Sequence, residues 1–173
     1  MRILVLVASL AIPALACGKS ATSCPMHTAQ GASDDHSAGV DTRGDRAMGF
    51  AHEKSAHHFL LFPDGGAIEV TANDTDDTST RDEIRAHLSH ISQMFTEGNF
   101  QVPMFIHDTV PPGVTVMESK RGAISYVFEP TTAGGRVRIT TADKNALEAI
   151  HQFLKFQIED HRTGDSKALA PRL

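Results

Sequence analysis

Two segments of the chain repeat one pattern, and this repeat limits the possible folds more than any other feature. Residues 55–74 read SAHHFLLFPDGGAIEVTAND, and residues 124–143 read ISYVFEPTTAGGRVRITTAD. Each segment begins with an apolar stretch and continues with a pair of glycines. A second stretch, of alternating apolar and polar residues, follows the glycines. Alternation with a period of two predicts a half-buried strand, and glycines in between are typical of a tight hairpin turn. The sequence therefore predicts two β-hairpins.

A helix is predicted after each hairpin. The first is expected to begin at a cap within residues 78–80 and to run to about Glu97, just before Gly98. Its predicted buried face carries apolar side chains at helical spacing, namely Ile84, Leu88, Ile91 and Phe95. The second helix is expected to be capped by Asp143.

The resulting order of elements is ββαββα, which predicts an α+β fold. We expect a two-layer sandwich in which an antiparallel sheet of about four strands carries two helices on one face, built from duplicated ββα units. This domain is predicted to span residues 51–163, with a frayed tail at 164–173. The long connection at 99–122 is expected to act either as a lid over a site or as a cover for the sheet.

The first 16 residues, MRILVLVASLAIPALA, have the features of a secretory signal peptide. Arg2 provides a positive charge, the apolar run that follows is too short to cross a membrane, and Ala14 and Ala16 are the small residues a signal peptidase requires. The mature protein is therefore expected outside the cytoplasm, in the periplasm or on the outer membrane or cell surface.

The residues at the end of this signal, Leu15-Ala16-Cys17-Gly18, resemble the lipobox of bacterial lipoproteins. The resemblance implies that Cys17 is acylated and that the membrane is a partner through this lipid anchor. Simple cleavage after Ala16 is the alternative. It would leave Cys17 free to form a disulfide with Cys24, the other of the two cysteines.

Residues 17–50 are rich in small and polar residues and are predicted to form a flexible tether. Within them, Cys24-Pro25-Met26-His27 resembles the CPMH core of a short heavy-metal-binding motif found on bacterial copper and heavy-metal efflux components. The resemblance implies a metal site formed by Cys24, Met26 and His27, with metal-efflux or other envelope proteins as possible partners. These soft donors suit copper best, with zinc as the alternative.

Histidine is unusually frequent, with ten residues in a chain that has no tryptophan. His52, His57 and His58 are predicted to add metal ligands, although strand geometry places His57 and His58 on opposite faces. A further possible site consists of His87, His90, Met94, Met104 and His107. The alternative for these residues is a structural role at the boundary of the core.

The formal net charge of -5 argues against a nucleic-acid-binding protein, which would need a basic patch. No complete catalytic motif is present in the sequence. Three hypotheses follow. The first is a lipid-anchored copper-binding or zinc-binding protein. The second is a small-molecule-binding or protein-binding domain, with a pocket between the sheet and residues 99–122. The third is an enzyme, which requires His57 or His107 in an apolar cavity beside an acidic residue as general base.

Overall fold

A computed structural model describes residues 29–171, with side chains from residue 35 onward. The described helices are α1 (Ala29–Met48), α2 (Thr78–Thr96), α3 (Gln101–His107), α4 (Val114–Ser119) and α5 (Lys144–Asp160). The strands are β1 (Ser55–Phe62), β2 (Gly65–Ala72), β3 (Ile124–Pro130) and β4 (Gly134–Thr141). Single turns of 3₁₀ helix precede β1 and β3.

The four strands form one antiparallel sheet in the order β1-β2-β4-β3. Ile68 of β2 pairs with both Phe59 of β1 and Val137 of β4, so the two hairpins join along their second strands. The predicted α+β fold with an antiparallel four-stranded sheet is confirmed. Each helix packs mainly on the hairpin of the other unit, with α2 over β3 and β4 and α5 over β1 and β2. The two ββα units therefore interlock and share one core.

The core lies between the sheet and these two helices. All four side chains predicted for the buried face of α2 are buried: Ile84, Leu88, Ile91 and Phe95. Phe95 also stacks on Phe100, with ring centroids 4.4 Å apart. Asp143 caps α5 as predicted, because its side chain accepts hydrogen bonds from two backbone amides. The cap of α2 is Asp77, one residue before the predicted range, and it accepts from the Thr80 amide.

The paired glycines do not form the hairpin turn itself. Pro63 and Asp64 make the turn, and Gly65 and Gly66 begin β2. Gly65 has a φ of 146°, and a Cβ there would lie 2.0 Å from the Ile139 carbonyl oxygen. A Cβ on Gly66 would lie 2.2 Å from a methyl carbon of Leu154. Glycine is required here because β4 and α5 approach the backbone closely.

The prediction of a flexible tether is wrong for residues 29–48, which form α1. The composition of this polar segment does not predict a helix, and tertiary contacts stabilise it. Val40 of the helix is buried, and so is Phe50, two residues after its end. The Arg43 Nε donates a hydrogen bond to the Ile106 carbonyl of α3 at 2.7 Å. The predicted signal peptide, Cys17 and the Cys24-Pro25-Met26-His27 segment lie outside the described residues.

The connection at 99–122 is not irregular, because it contains α3 and α4. Each helix is too short for periodicity to identify it. Pro103, Ile106 and Met117 are buried and α3 packs on α1, so this segment covers part of the core, and α3 also lies over the cavity described below. None of the helices in residues 29–171 is both long enough and apolar enough to cross a membrane.

The prediction of a frayed tail is wrong for residues 165–170. The Asp165 carboxylate accepts a hydrogen bond from the Phe59 amide at 2.9 Å, and the Ala170 amide donates to the Leu61 carbonyl at 2.8 Å. Both bonds are made along the free edge of β1. An edge strand presents unpaired backbone groups, and the tail satisfies them. Such long-range pairing leaves no local signal in the sequence.

Candidate functional site: a cavity lined by histidines

A cavity of about 60 Å³ lies between the helix-facing side of the sheet and α3. Most of its wall is apolar, with contributions from α2, α3, α5 and both strands of the first hairpin. Four imidazoles also line it, those of His57, His87, His107 and His161, together with the thioether of Met48. We call this space the histidine cavity. Its position matches the pocket that the ligand-binding hypothesis requires.

Each histidine reaches the cavity from a different element. His57 lies on β1 and shares the helix-facing side with Phe59 and Leu61, as strand alternation predicts. His87 lies on α2 beside the buried Leu88, and its ring meets Phe50 edge-on at 5.9 Å. His107 and His161 lie at the C-terminal ends of α3 and α5.

His57 and His161 form a stacked pair. Their ring planes differ by 4° and their centroids lie 5.7 Å apart. His161 also stacks on Phe59 at 5.5 Å and meets His107 edge-on at 5.0 Å. Among the described residues, no side chain or backbone group forms a hydrogen bond with the ring nitrogens of His57, His87 or His161.

Burial determines the charge state of these three rings. Removal from water lowers the pKa of His57 to about 4, and the nearby rings of His87, His58 and His52 lower it further in the same direction. Burial likewise lowers the pKa of His87 to about 4 and the pKa of His161 to about 3. At neutral pH all three imidazoles are therefore uncharged, and each keeps a nitrogen lone pair.

His107 differs because both of its ring nitrogens are engaged. Nδ1 lies 2.5 Å from Oδ2 of Asp160, and Nε2 lies 2.9 Å from Oε1 of Gln157. The Gln157 Nε2 is buried without a partner. Turning this amide would let it donate to the imidazole, and in either orientation both ring nitrogens are occupied. The apolar cavity and acidic neighbour that the enzyme hypothesis requires are present, but His107 has no free nitrogen with which to act as a base.

Asp160 links three helices. Its Oδ1 atom lies 2.9 Å from Nε2 of His36 on α1, and its Oδ2 atom is bonded to His107 of α3. Burial raises the pKa of Asp160, but its hydrogen bonds with His107 and His36 outweigh this effect, so that the pKa is below its ordinary value. The ionised carboxylate therefore ties α1 and α3 to α5.

His52 and His58 are bonded to carboxylates. His52 Nδ1 lies 2.9 Å from Asp45, and His58 Nδ1 lies 2.9 Å from Asp165. The hydrogen bond with Asp45 raises the pKa of His52. The structure does not direct His52, His57 and His58 at a common point, although all three line one surface groove of about 260 Å³.

The remaining predicted ligands are dispersed. His90 is exposed on α2, while Met94 and Met104 are partly buried and pack on the core. Within the described part of the chain, no three His, Cys, Asp or Glu side chains are grouped so that they could hold a metal ion as they stand.

Sequence reasoning did not assign His161 or Met48 to a site. His161 follows the buried Ile158 at helical spacing, and this spacing is the signal that could have identified it. Met48 ends a helix that composition did not predict, so no signal pointed to it. No family model, no curated protein and no solved structure matches this chain.

Proposed function

We propose that this protein is a lipid-anchored, extracytoplasmic protein that binds a soft or borderline metal ion, copper in the first place and zinc as the alternative. In the folded domain the proposed ligands are His57, His87 and His161, with the thioether of Met48. The observation that supports this proposal is that three uncharged imidazoles without hydrogen-bond partners line one small cavity.

Each of these ring nitrogens keeps some contact with solvent, because none of them is among the fully buried, unpartnered atoms of the described residues. A ligand that engages several of them would replace water there. The cavity of about 60 Å³ is much smaller than the roughly 300–1,000 Å³ of pockets that hold drug-sized molecules. A metal ion fits this volume and can bind more than one imidazole.

The chemistry of the donors selects the kind of metal. Neutral imidazole suits copper and zinc, and a thioether favours Cu(I). Hard cations prefer oxygen ligands, and the Gln157 amide oxygen at the wall of the cavity is already bonded to His107. Because the rings of His57 and His161 are parallel, their nitrogens do not converge as they stand. Coordination by both therefore requires one ring to turn to another rotamer.

The proposal also gives the N-terminal segment two roles, anchoring and metal capture. Acylated Cys17 would hold the protein on a membrane, and Cys24, Met26 and His27 would capture the metal before it reaches the domain. Metal-efflux or other envelope proteins are the partners that this arrangement suits.

The test is a titration of the full-length protein with Cu(I), Cu(II) and Zn(II), read by native mass spectrometry. We expect Cys24→Ser to remove the N-terminal site and leave one bound ion. In that background, His87→Gln should weaken binding at least about tenfold, or ~1.4 kcal/mol. His90→Gln, which changes an exposed histidine on the same helix, should leave it unchanged. Equal binding by the His57→Gln, His87→Gln double variant would reject the cavity as the metal site.

A second candidate is a very small uncharged molecule in the same cavity. The apolar wall, which includes Phe59, Val70 and Ile106, favours it, as does the absence of a group of three donors in the described residues. It predicts that none of the three metal ions changes the melting temperature of the Cys24→Ser protein.

A further inference from the structure

We propose that the outer edge of β1 is a docking site for an extended, acidic segment of another protein, and that the chain's own tail, residues 163–171, occupies this site until such a partner displaces it. This inference concerns a surface outside the histidine cavity and does not depend on metal binding.

The edge binds a carboxylate through two groups. The Phe59 amide donates a hydrogen bond to Oδ2 of Asp165 at 2.9 Å, and Nδ1 of His58 lies 2.9 Å from Oδ1 of the same carboxylate. Burial raises the pKa of Asp165, but its hydrogen bonds with His58, Thr163 and the Phe59 amide outweigh this effect, so that the pKa is below its ordinary value. The edge therefore holds an ionised carboxylate, and a partner is expected to present one at this position.

The tail uses only part of the edge. Its second backbone contact is the Ala170 amide, which donates to the Leu61 carbonyl at 2.8 Å. In the part of the chain that the structure describes, no backbone group of residues 166–169 bonds to β1.

Two further backbone groups face the same side of β1. The amide and the carbonyl of one strand residue point the same way, so the Phe59 carbonyl and the Leu61 amide also lie on this edge. Neither has a hydrogen bond within residues 29–171. A segment that pairs with β1 as a regular strand can bond all four groups, whereas the tail bonds two.

The tail is also weakly held. Residues 166–169 are exposed, and Leu169 is 55% exposed, so docking buries little apolar surface. The chain turns back from α5 onto β1 through Arg162, at a φ of 53°, and Gly164, at a φ of 75°. A residue other than glycine is strained in this left-handed region, and release of the tail lets Arg162 leave it. Both features favour displacement by a partner.

The probe for the test is a synthetic peptide with the sequence of residues 163–171, TGDSKALAP. It is titrated into the isotope-labelled full-length protein, and the Phe59 amide signal is followed by NMR. In the wild-type protein the tail competes as a linked copy of the probe. Asp165→Asn weakens this competitor, so we expect the variant to bind the probe at least tenfold more tightly than the wild-type protein does.

Two controls accompany the titration. Asp76→Asn is a matched change at an exposed position outside the tail, and it should leave binding as in the wild-type protein. A probe with asparagine in place of its aspartate should bind the Asp165→Asn protein at least tenfold more weakly than the original probe. Circular dichroism checks folding, and Ala170→Pro, which removes the amide that bonds Leu61, replaces Asp165→Asn if that variant does not fold.

Equal affinity of the wild-type protein and the tail variant for the probe would overturn the proposal, as would equal binding of the two probes. Sedimentation distinguishes the remaining occupant. A wild-type dimer that Asp165→Asn dissociates would assign the edge to the tail of a second copy, and it would overturn the proposal of a separate partner.

Discussion

At the scale of single residues, a hydrogen-bond partner for the imidazole is what separates the structural histidines from the candidate ligands. His52, His58 and His107 each have a ring nitrogen within hydrogen-bonding distance of an aspartate. His57, His87 and His161 have lowered pKa values and no such partner among the described residues. The sequence shows ten histidines but does not show which aspartate each one meets.

This difference predicts unequal effects of the same substitution at two positions. His87→Leu removes a ring that bonds no other described group and keeps some contact with solvent, so the free energy of unfolding of the metal-free protein should change by less than about 1 kcal/mol. His107→Leu leaves Gln157 without this partner and leaves Asp160 bonded to His36 alone, and it should cost about 2–4 kcal/mol. Urea unfolding of both variants measures the two changes. Destabilisation by His87→Leu to the same extent as by His107→Leu would show that His87 is bonded in solution.

The acid sensitivity of the fold follows from the same three rings. Their folded pKa values of about 3–4 lie below the ordinary 6.5, so the unfolded chain binds more protons between these values. Their contribution to stability is therefore complete above pH 6.5 and is lost as the pH falls towards 4. Urea unfolding at pH 7, 6 and 5 should show this loss. His87→Leu should reduce the slope by about one proton, or ~1.4 kcal/mol per pH unit, and His90→Leu should not.

At the scale of elements, the hairpins and the two long helices are determined locally, whereas α1, α3 and the tail are fixed by distant partners. Arg43 and His36 of α1 bond to Ile106 and Asp160. The tail follows the free edge of β1 through Asp165 and Ala170. These contacts decide whether the cavity is covered, because α1 and α3 both contribute to its wall.

We expect a substitution of Asp160 to loosen the packing of α1 and α3 over the cavity. Asp160→Asn removes the ionised acceptor shared by His36 and His107, so amides of α1 and α3 should exchange with deuterium at least tenfold faster. Asp41→Asn is a matched change on α1 itself, and it should leave the exchange of α3 unaltered. Because the pKa of Asp160 is lowered, its contribution is present above its unfolded pKa and is lost as the pH falls below that value. Unchanged exchange in Asp160→Asn at pH 7 would show that other contacts hold these helices.

At the scale of the whole molecule, the interlocking of the two ββα units places the site. Each helix covers the hairpin of the other unit, and the histidine cavity lies where β1, α2 and α5 meet under α3. By strand pairing, Tyr126 and Val127 of β3 occupy the positions that His57 and His58 occupy in β1. The duplication therefore supplies the scaffold, and the differences between the copies supply the imidazoles.

The sequence by itself determined the hairpins, the buried face of α2, the cap of α5 and the α+β class. These features depend on alternation, helical spacing and short-range hydrogen bonds, which neighbouring residues specify. Only the tertiary structure decided that a polar segment becomes α1 and that His161 joins His57 and His87 at one cavity. Those outcomes depend on contacts between residues far apart in the chain, such as Asp160 with His36 and His107. The same contacts decide which imidazoles are bonded and which are left free for a ligand.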